Sequence, residues 1–358
     1  MSEEKARIDS HKLMLHPERV ADWLNHKTIY PINLEICIIG ACNHRCTFCC
    51  CDYMEHKPDK ISLPVLQNLF NELQPKGLKS ILLAGSGEPL LHTDFAEIVT
   101  SAKKIGIDVA VSTNGVLFTP QNIEKCLGDI SWVRFSVSAG TEENYLRIHR
   151  GKPGDLARVF DNISRAAELK AKHNYKTVLN VQIVMIPDNV DEIVLLAEKV
   201  KSCGADRYIV KSYGDNFLMQ NDIKKDVDKD FFAHNDDLKN ALMKLNDDNF
   251  QVVYRKNRID SEFSRRNYNY CHASSFHACI CADGSVCPCA NLQGIPKYSF
   301  GNINESSFSE LWESKKRLDV MEKISNGKMS VCPTACKLDS MNRYLHELLH
   351  PDMHVNFI

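Results

Sequence analysis

Residues 32–51 read INLEICIIGACNHRCTFCCC, and this stretch decides the fold. Its first part, INLEICI (32–38), is apolar and β-rich, a strand candidate. Its second part sets Cys42, Cys46 and Cys49 in a C-x3-C-x2-C spacing on one tight loop. Three thiolates on such a loop can hold three irons of a cubane cluster and leave the fourth iron open. A structural zinc site wants four ligands, and Cys50, Cys51 or His44 could complete that set. The loop alone leaves both readings standing.

Working outward, residues 31–212 alternate β-rich runs with helical patterns. Further strand candidates are SILLAG (80–85), IDVAVST (107–113), WVRFSVS (132–138), TVLNVQIVMI (177–186) and RYIVKS (207–212). Helices are punctuated by Ser62 with Pro64, by Thr119 with Pro120, and by Gly77 and Gly204 past two helix ends. Short βα connections imply right-handed crossovers and a parallel sheet. The fold class is α/β, as an open doubly wound sheet or a partial barrel. Both place ligands at the C-terminal ends of the strands. Residues 1–30 read as an N-terminal extension, 31–212 as the core and 213–265 as a polar, helical bridge. From 266 to 358 the texture changes to dense Cys, Gly, Asn and Pro, the mark of a small metal-stapled module.

Formal net charge is −2, so nothing global points to nucleic acid or an anionic membrane. No apolar run approaches the length of a membrane helix, and the charged N-terminus is unlike a signal peptide, so a cytoplasmic location is expected. In a reducing compartment fifteen cysteines argue for metal chemistry over disulfides. Six lie between Cys37 and Cys51 and seven between Cys271 and Cys336, while Cys126 and Cys203 stand alone as buried apolar residues.

The cysteine loop after a first strand resembles the radical S-adenosylmethionine (SAM) superfamily. The resemblance implies a partial (β/α)6 barrel and a [4Fe–4S] cluster on Cys42, Cys46 and Cys49. It also implies that SAM is split there into a 5′-deoxyadenosyl radical. Phe48 stands where the family places an aromatic against adenine. Gly85, Ser86, Gly87 and Glu88 match the family's GGEP-like segment, which cradles the SAM ammonium. Ser112 and Asn114 lie in STNG, and Ser136 and Arg150 lie in a stretch resembling Ser–x–Asp–Gly … Tyr–x–x–Ile–Arg–Gly. These would contact the SAM ribose or carboxylate. Ser138 replaces the usual Asp. Asn180 and Gln182 either point into the site or form an ordinary polar strand face.

The C-terminal segment resembles the auxiliary-cluster twitch domain, a shortened relative of the SPASM domain. On that resemblance Cys271, Cys289, Cys332 and Cys336 hold one auxiliary [4Fe–4S] cluster, with Cys287 competing with Cys289 and a four-cysteine zinc site as the alternative. A β-hairpin turning at Asp283-Gly284 would bring the ligands together. Cys279 and Cys281 are then surplus, either hydrogen donors to a substrate radical or packing residues.

Two reactions fit. The first oxidises or epimerises a small hydroxylated substrate (a sugar, aminocyclitol or nucleotide-sugar), similar to the aminoglycoside-pathway radical SAM dehydrogenase. The second modifies a peptide. Only 31 residues precede the first strand candidate, which favours the small substrate because peptide maturases commonly carry a leader-binding domain there. Either requires an external one-electron reductant of flavodoxin or ferredoxin type. His44, His149, His272 and His277 are candidate bases, and the basic run 254–268 either holds a phosphate or is a solvated face.

Overall fold

The computed structural model describes residues 11–214, 217–219, 223, 236–255, 266–327, 329–333 and 336–357. The six expected strands form: β1 Asn33–Ile36, β2 Ser80–Leu83, β3 Asp108–Thr113, β4 Ile130–Ser136, β5 Val178–Met185 and β6 Arg207–Ser212. They lie side by side in chain order, all parallel. The helices between them include α1 Leu63–Leu73, α2 Phe95–Lys104, α3 Glu142–His149, α4 Asp155–His173 and α5 Ile193–Ser202. Alternation along each strand sends one set of side chains to these helices and the other to the inside of the curved sheet. The helix-facing set is fully apolar and buried: Leu34, Ile36, Ile81, Leu83, Val109, Val111, Val133 and Phe135 join Leu66, Phe70, Leu73, Ile98 and Val99 in one core. The inner set is mixed and carries the polar residues Glu35, Ser112, Arg134, Ser136, Gln182 and Lys211. Packing therefore fixes the sheet from outside and leaves its inner face for chemistry.

Two features depart from the sequence reading. The segment read as a helical bridge contains a strand, β7 Gln251–Tyr254, which pairs parallel with β6 and lengthens the sheet. Its run QVVY is short and sits in a polar setting, so no periodicity announces it. Residues 256–265, most of the basic run weighed as a phosphate holder, lie outside the described residues.

The cysteine-rich module is also part of the same sheet. Its strand β8 His277–Ile280 pairs parallel with β1, β9 Ser285–Cys287 returns antiparallel, and β10 Gly301–Asn302 follows. The order is β10-β9-β8-β1-β2-β3-β4-β5-β6-β7. HACI is buried along its whole length, so it covers the edge that β1 would otherwise expose. The hairpin turns at Asp283-Gly284: Gly284 has φ +88 and donates its N–H to Cys281 O at 2.9 Å. Residues of the N-terminal extension brace this module. Leu13, Val20 and Ile29, with Ile32 at the start of the core, pack with Phe276 and with Leu345 of α6 Asp339–Leu349.

Candidate active site

The cysteine loop leaves the C-terminal end of β1 and is clamped on two sides. On one side Thr47 N–H donates to Ile148 O at 2.8 Å and Arg45 N–H to His149 O at 3.2 Å, tying it to the end of α3. On the other side the AGSGEP loop presses against it. A Cβ on Gly87 would lie 2.1 Å from Ile39 O and 2.5 Å from Ala41 O, so only glycine fits. Glu88 then locks the loops together. Its buried carboxylate accepts from the Thr113 hydroxyl at 2.7 Å, Asn114 N–H at 2.7 Å and Leu90 N–H at 3.2 Å. Burial raises the Glu88 carboxyl to about 7, against the pull of those donors. Asn114 in turn donates from Nδ2 to Asn43 Oδ1 at 2.6 Å, joining the third loop to the cysteine loop.

The loops enclose a cavity of about 240 Å³. Of the residues singled out from sequence, Cys42, Cys46, Cys49, Phe48, Gly85, Ser86, Gly87, Glu88, Ser112, Asn114 and Ser136 all line it. Arg150 does not: it is exposed, with φ +51, just past the end of α3. Gln182 lines the cavity, whereas Asn180 donates to Val133 O at 2.9 Å. Ser138 is buried and takes up backbone partners instead, accepting from Val184 N–H at 3.3 Å. Among the candidate bases, His44 and His149 line the cavity and His272 and His277 do not. Arg134 and Lys211, on β4 and β6, also line it and were missed. Strand alternation with Ser136 could have flagged Arg134.

The thiols suit a cluster. Burial pushes Cys42 up, Cys46 well up and Cys49 up to about 12, with charge repulsion from neighbouring thiols adding to all but Cys42. Three such thiolates coexist only when cationic metal neutralises them. Cys50 and Cys51 sit 3.8 Å apart, thiol to thiol, at the cavity wall.

The C-terminal cysteines separate into two groups. Cys289 is pushed well up by burial and by the charges of Cys336, Cys271 and Cys332, so these four thiols lie near one another. Asn342 on α6 donates to Cys271 Sγ at 3.6 Å, and Leu338 N–H to Cys336 Sγ at 3.4 Å. Four thiols with backbone and amide donors could hold a cluster with every iron ligated, an arrangement that suits electron transfer. Cys287 turns elsewhere: it shares hydrogen bonds with Cys279 and Cys281 and packs with them and Ala290. Neither Cys279 nor Cys281 lines the cavity, so the hydrogen-donor reading gains nothing from their position.

Between the two cysteine sites, the half-buried Lys337 forms an ion pair with the buried Glu35 on β1. Burial opposes the Glu35 charge, but Lys337 and His277 outweigh it and hold the carboxyl below its usual range. The two regions also touch directly. Tyr53 donates to Gln293 O at 2.8 Å, and Gln293 Nε2 lies 3.6 Å from Cys51 Sγ.

An open three-thiol loop at the top of a parallel sheet, with a closed four-thiol site beside it, defines a two-cluster radical enzyme. Residues 36–228 match the radical SAM superfamily model, and 271–339 match the model of an iron–sulfur cluster-binding domain, SPASM. The chain belongs to the radical SAM superfamily, with [4Fe–4S] clusters and SAM as its cofactors. It is 24% identical over 78% of its length, and 80% of the relative's, to a tungsten-containing aldehyde ferredoxin oxidoreductase cofactor-modifying protein of Pyrococcus furiosus. It is 26% identical to the sporulation killing factor maturation protein SkfB of Bacillus subtilis, over 83% of this chain and 68% of that one. The crystal structure of SuiB from Streptococcus suis bound to S-adenosylmethionine superposes with a TM-score of 0.67 at 15% identity, over 89% of this chain and 76% of that one. Among the described residues no helix is long and apolar enough to cross a membrane.

Proposed function

We propose that this chain is a radical SAM oxidoreductase that oxidises or epimerises a small hydroxylated substrate held against the inner face of β4 to β6. The observation that carries this reading is the pairing of an open three-thiol site with a closed four-thiol site in one sheet. Cys42, Cys46 and Cys49 would hold the first cluster, and Cys271, Cys289, Cys332 and Cys336 the auxiliary one. When bound, SAM at the first cluster supplies the radical that takes hydrogen from substrate, and the auxiliary cluster supplies an acceptor for the electron left behind.

The chain's own residues do the holding. Glu88 spends its carboxylate on the neighbouring loop, so it fixes the shape of the SAM cradle. Arg134, which donates to Ser112 Oγ at 3.2 Å, lines the cavity together with Gln182 and Lys211 from three adjacent strands, a polar wall that suits a hydroxylated substrate. An external one-electron donor of flavodoxin or ferredoxin type would prime the reaction.

A second reading is a peptide-modifying enzyme. The similarity to SkfB along most of this chain favours it. One experiment separates the two. The reconstituted, dithionite-reduced protein is given SAM with deuterated polyols or with deuterated candidate peptides, and 5′-deoxyadenosine is analysed for deuterium. Label arriving from a polyol supports the first reading, and label from a peptide only supports the second. No deoxyadenosine under any condition would contradict both.

A further inference from the structure

Beside the cysteine loop, His149, Tyr145 and Phe48 form a group of rings in which the proposed chemistry gives His149 no role. His149, the last residue of α3, is 1% exposed. Tyr145 stacks on it with centroids 4.3 Å apart, and Phe48 meets it edge-on at 5.4 Å. The ring is therefore held in one plane. Both of its nitrogens are engaged. Nε2 lies 2.8 Å from the backbone N of Ser138, which can only donate, so Nε2 is the acceptor and carries no proton. The ring proton is then on Nδ1. Nδ1 lies 3.3 Å from Cys46 Sγ. The same helix end binds the loop backbone on both sides of Cys46, through Arg45 N–H and Thr47 N–H. Ring and thiol are thus fixed relative to each other by three separate contacts.

We propose that His149 tunes the SAM-binding cluster by donating an N–H···S hydrogen bond to Cys46. A hydrogen bond to a ligand sulfur stabilises the extra negative charge of the reduced cluster more than the oxidised one, and so raises its potential. The buried setting strengthens the effect. His149 acts through Cys46 and is a positioning residue. Its backbone donor, Ser138 N–H, is part of the mechanism, because it decides which nitrogen bears the proton. The proposal rests on Cys46 being a cluster ligand.

The test is an EPR-monitored redox titration of the reconstituted enzyme without SAM, for wild type, His149→Phe and His149→Asn. Asparagine keeps an N–H donor close to the place of Nδ1. The Phe variant should bind the same iron but show a lower midpoint potential, and release deoxyadenosine more slowly with a weak reductant than with a strong one. The Asn variant should recover part of the shift. An unchanged or higher midpoint in an iron-replete Phe variant overturns the proposal. If Phe prevents cluster assembly, hyperfine spectroscopy on wild type with 15N-labelled histidine decides. A nitrogen coupling to the reduced cluster that disappears in His149→Asn supports the bond, and no such coupling overturns it. Iron counting on Cys46→Ala checks the ligand assignment separately: full iron retention there removes the basis of the proposal.

Discussion

The two cysteine sites are built by opposite means. The first draws Cys42, Cys46 and Cys49 from one short loop, and two neighbouring loops and a helix end hold that loop in shape through Glu88, Asn114 and the backbone of α3. The second gathers four thiols from separate segments between Cys271 and Cys336, with the β8–β9 hairpin and α6 doing the gathering. The open site is local in sequence and depends on its neighbours for rigidity. The closed site is non-local and exists only once the sheet has formed. The local site borders a cavity with room for a substrate, whereas the non-local site can fill its ligand positions with four thiols.

The sharpest way to break this contrast is the pair Cys287 and Cys289. Cys289→Ala should lose about four of about eight irons, because it removes one ligand of the closed site. Cys287→Ala should keep them all, since its thiol faces Cys279 and Cys281. Iron and sulfide analysis distinguishes the two variants, and the reverse result would redraw the auxiliary site.

The next effect is on stability. Glu35→Leu leaves Lys337 without its partner between the two sites. A fully buried pair broken this way costs about 3–5 kcal/mol, and the partial exposure of Lys337 reduces that to about 2–3 kcal/mol. Denaturant unfolding of the apoprotein measures it. A loss under about 1 kcal/mol would mean that water already solvates Lys337.

These two cases also show what the sequence carried. The strands β1 to β6, the cysteine loop and its cradle were legible, because each rests on local periodicity or on spacing along one loop. Cys287 and Cys289 were not separable, because the choice depends on Pro288, which ends β9 and redirects the chain. The Glu35–Lys337 pair joins residues 302 positions apart, and no local pattern can announce that. Arg134 was readable by alternation from Ser136 on β4, whereas Lys211 was hidden in an apolar strand with no site residue beside it to mark the inner face. Arg150, chosen by motif, sits in a left-handed turn just past the helix end and does not line the cavity, though its charge reaches Cys46.

The smallest predicted effect concerns the cradle. Glu88 has its folded-state carboxyl raised to about 7, so the folded protein binds a proton more tightly than the unfolded chain does. Its contribution is fully present below the ordinary carboxylate range and is lost as pH rises towards 7. The stability difference between wild-type and Glu88→Gln apoprotein should therefore shift against wild type from pH 5 to pH 8. Thermal midpoints of the two proteins, taken in parallel, cancel the histidine contributions. A pH-independent difference would show that the three donors around Glu88 hold it ionised throughout.

The central claim is that Cys42, Cys46 and Cys49 form the open, SAM-cleaving site and that the auxiliary site assembles without them. Iron content and deoxyadenosine release, measured together on the variant with all three changed to Ala, test it most directly. The account predicts that about eight irons fall to about four and that deoxyadenosine release is abolished. Retention of the full iron content, or continued SAM cleavage, would contradict it.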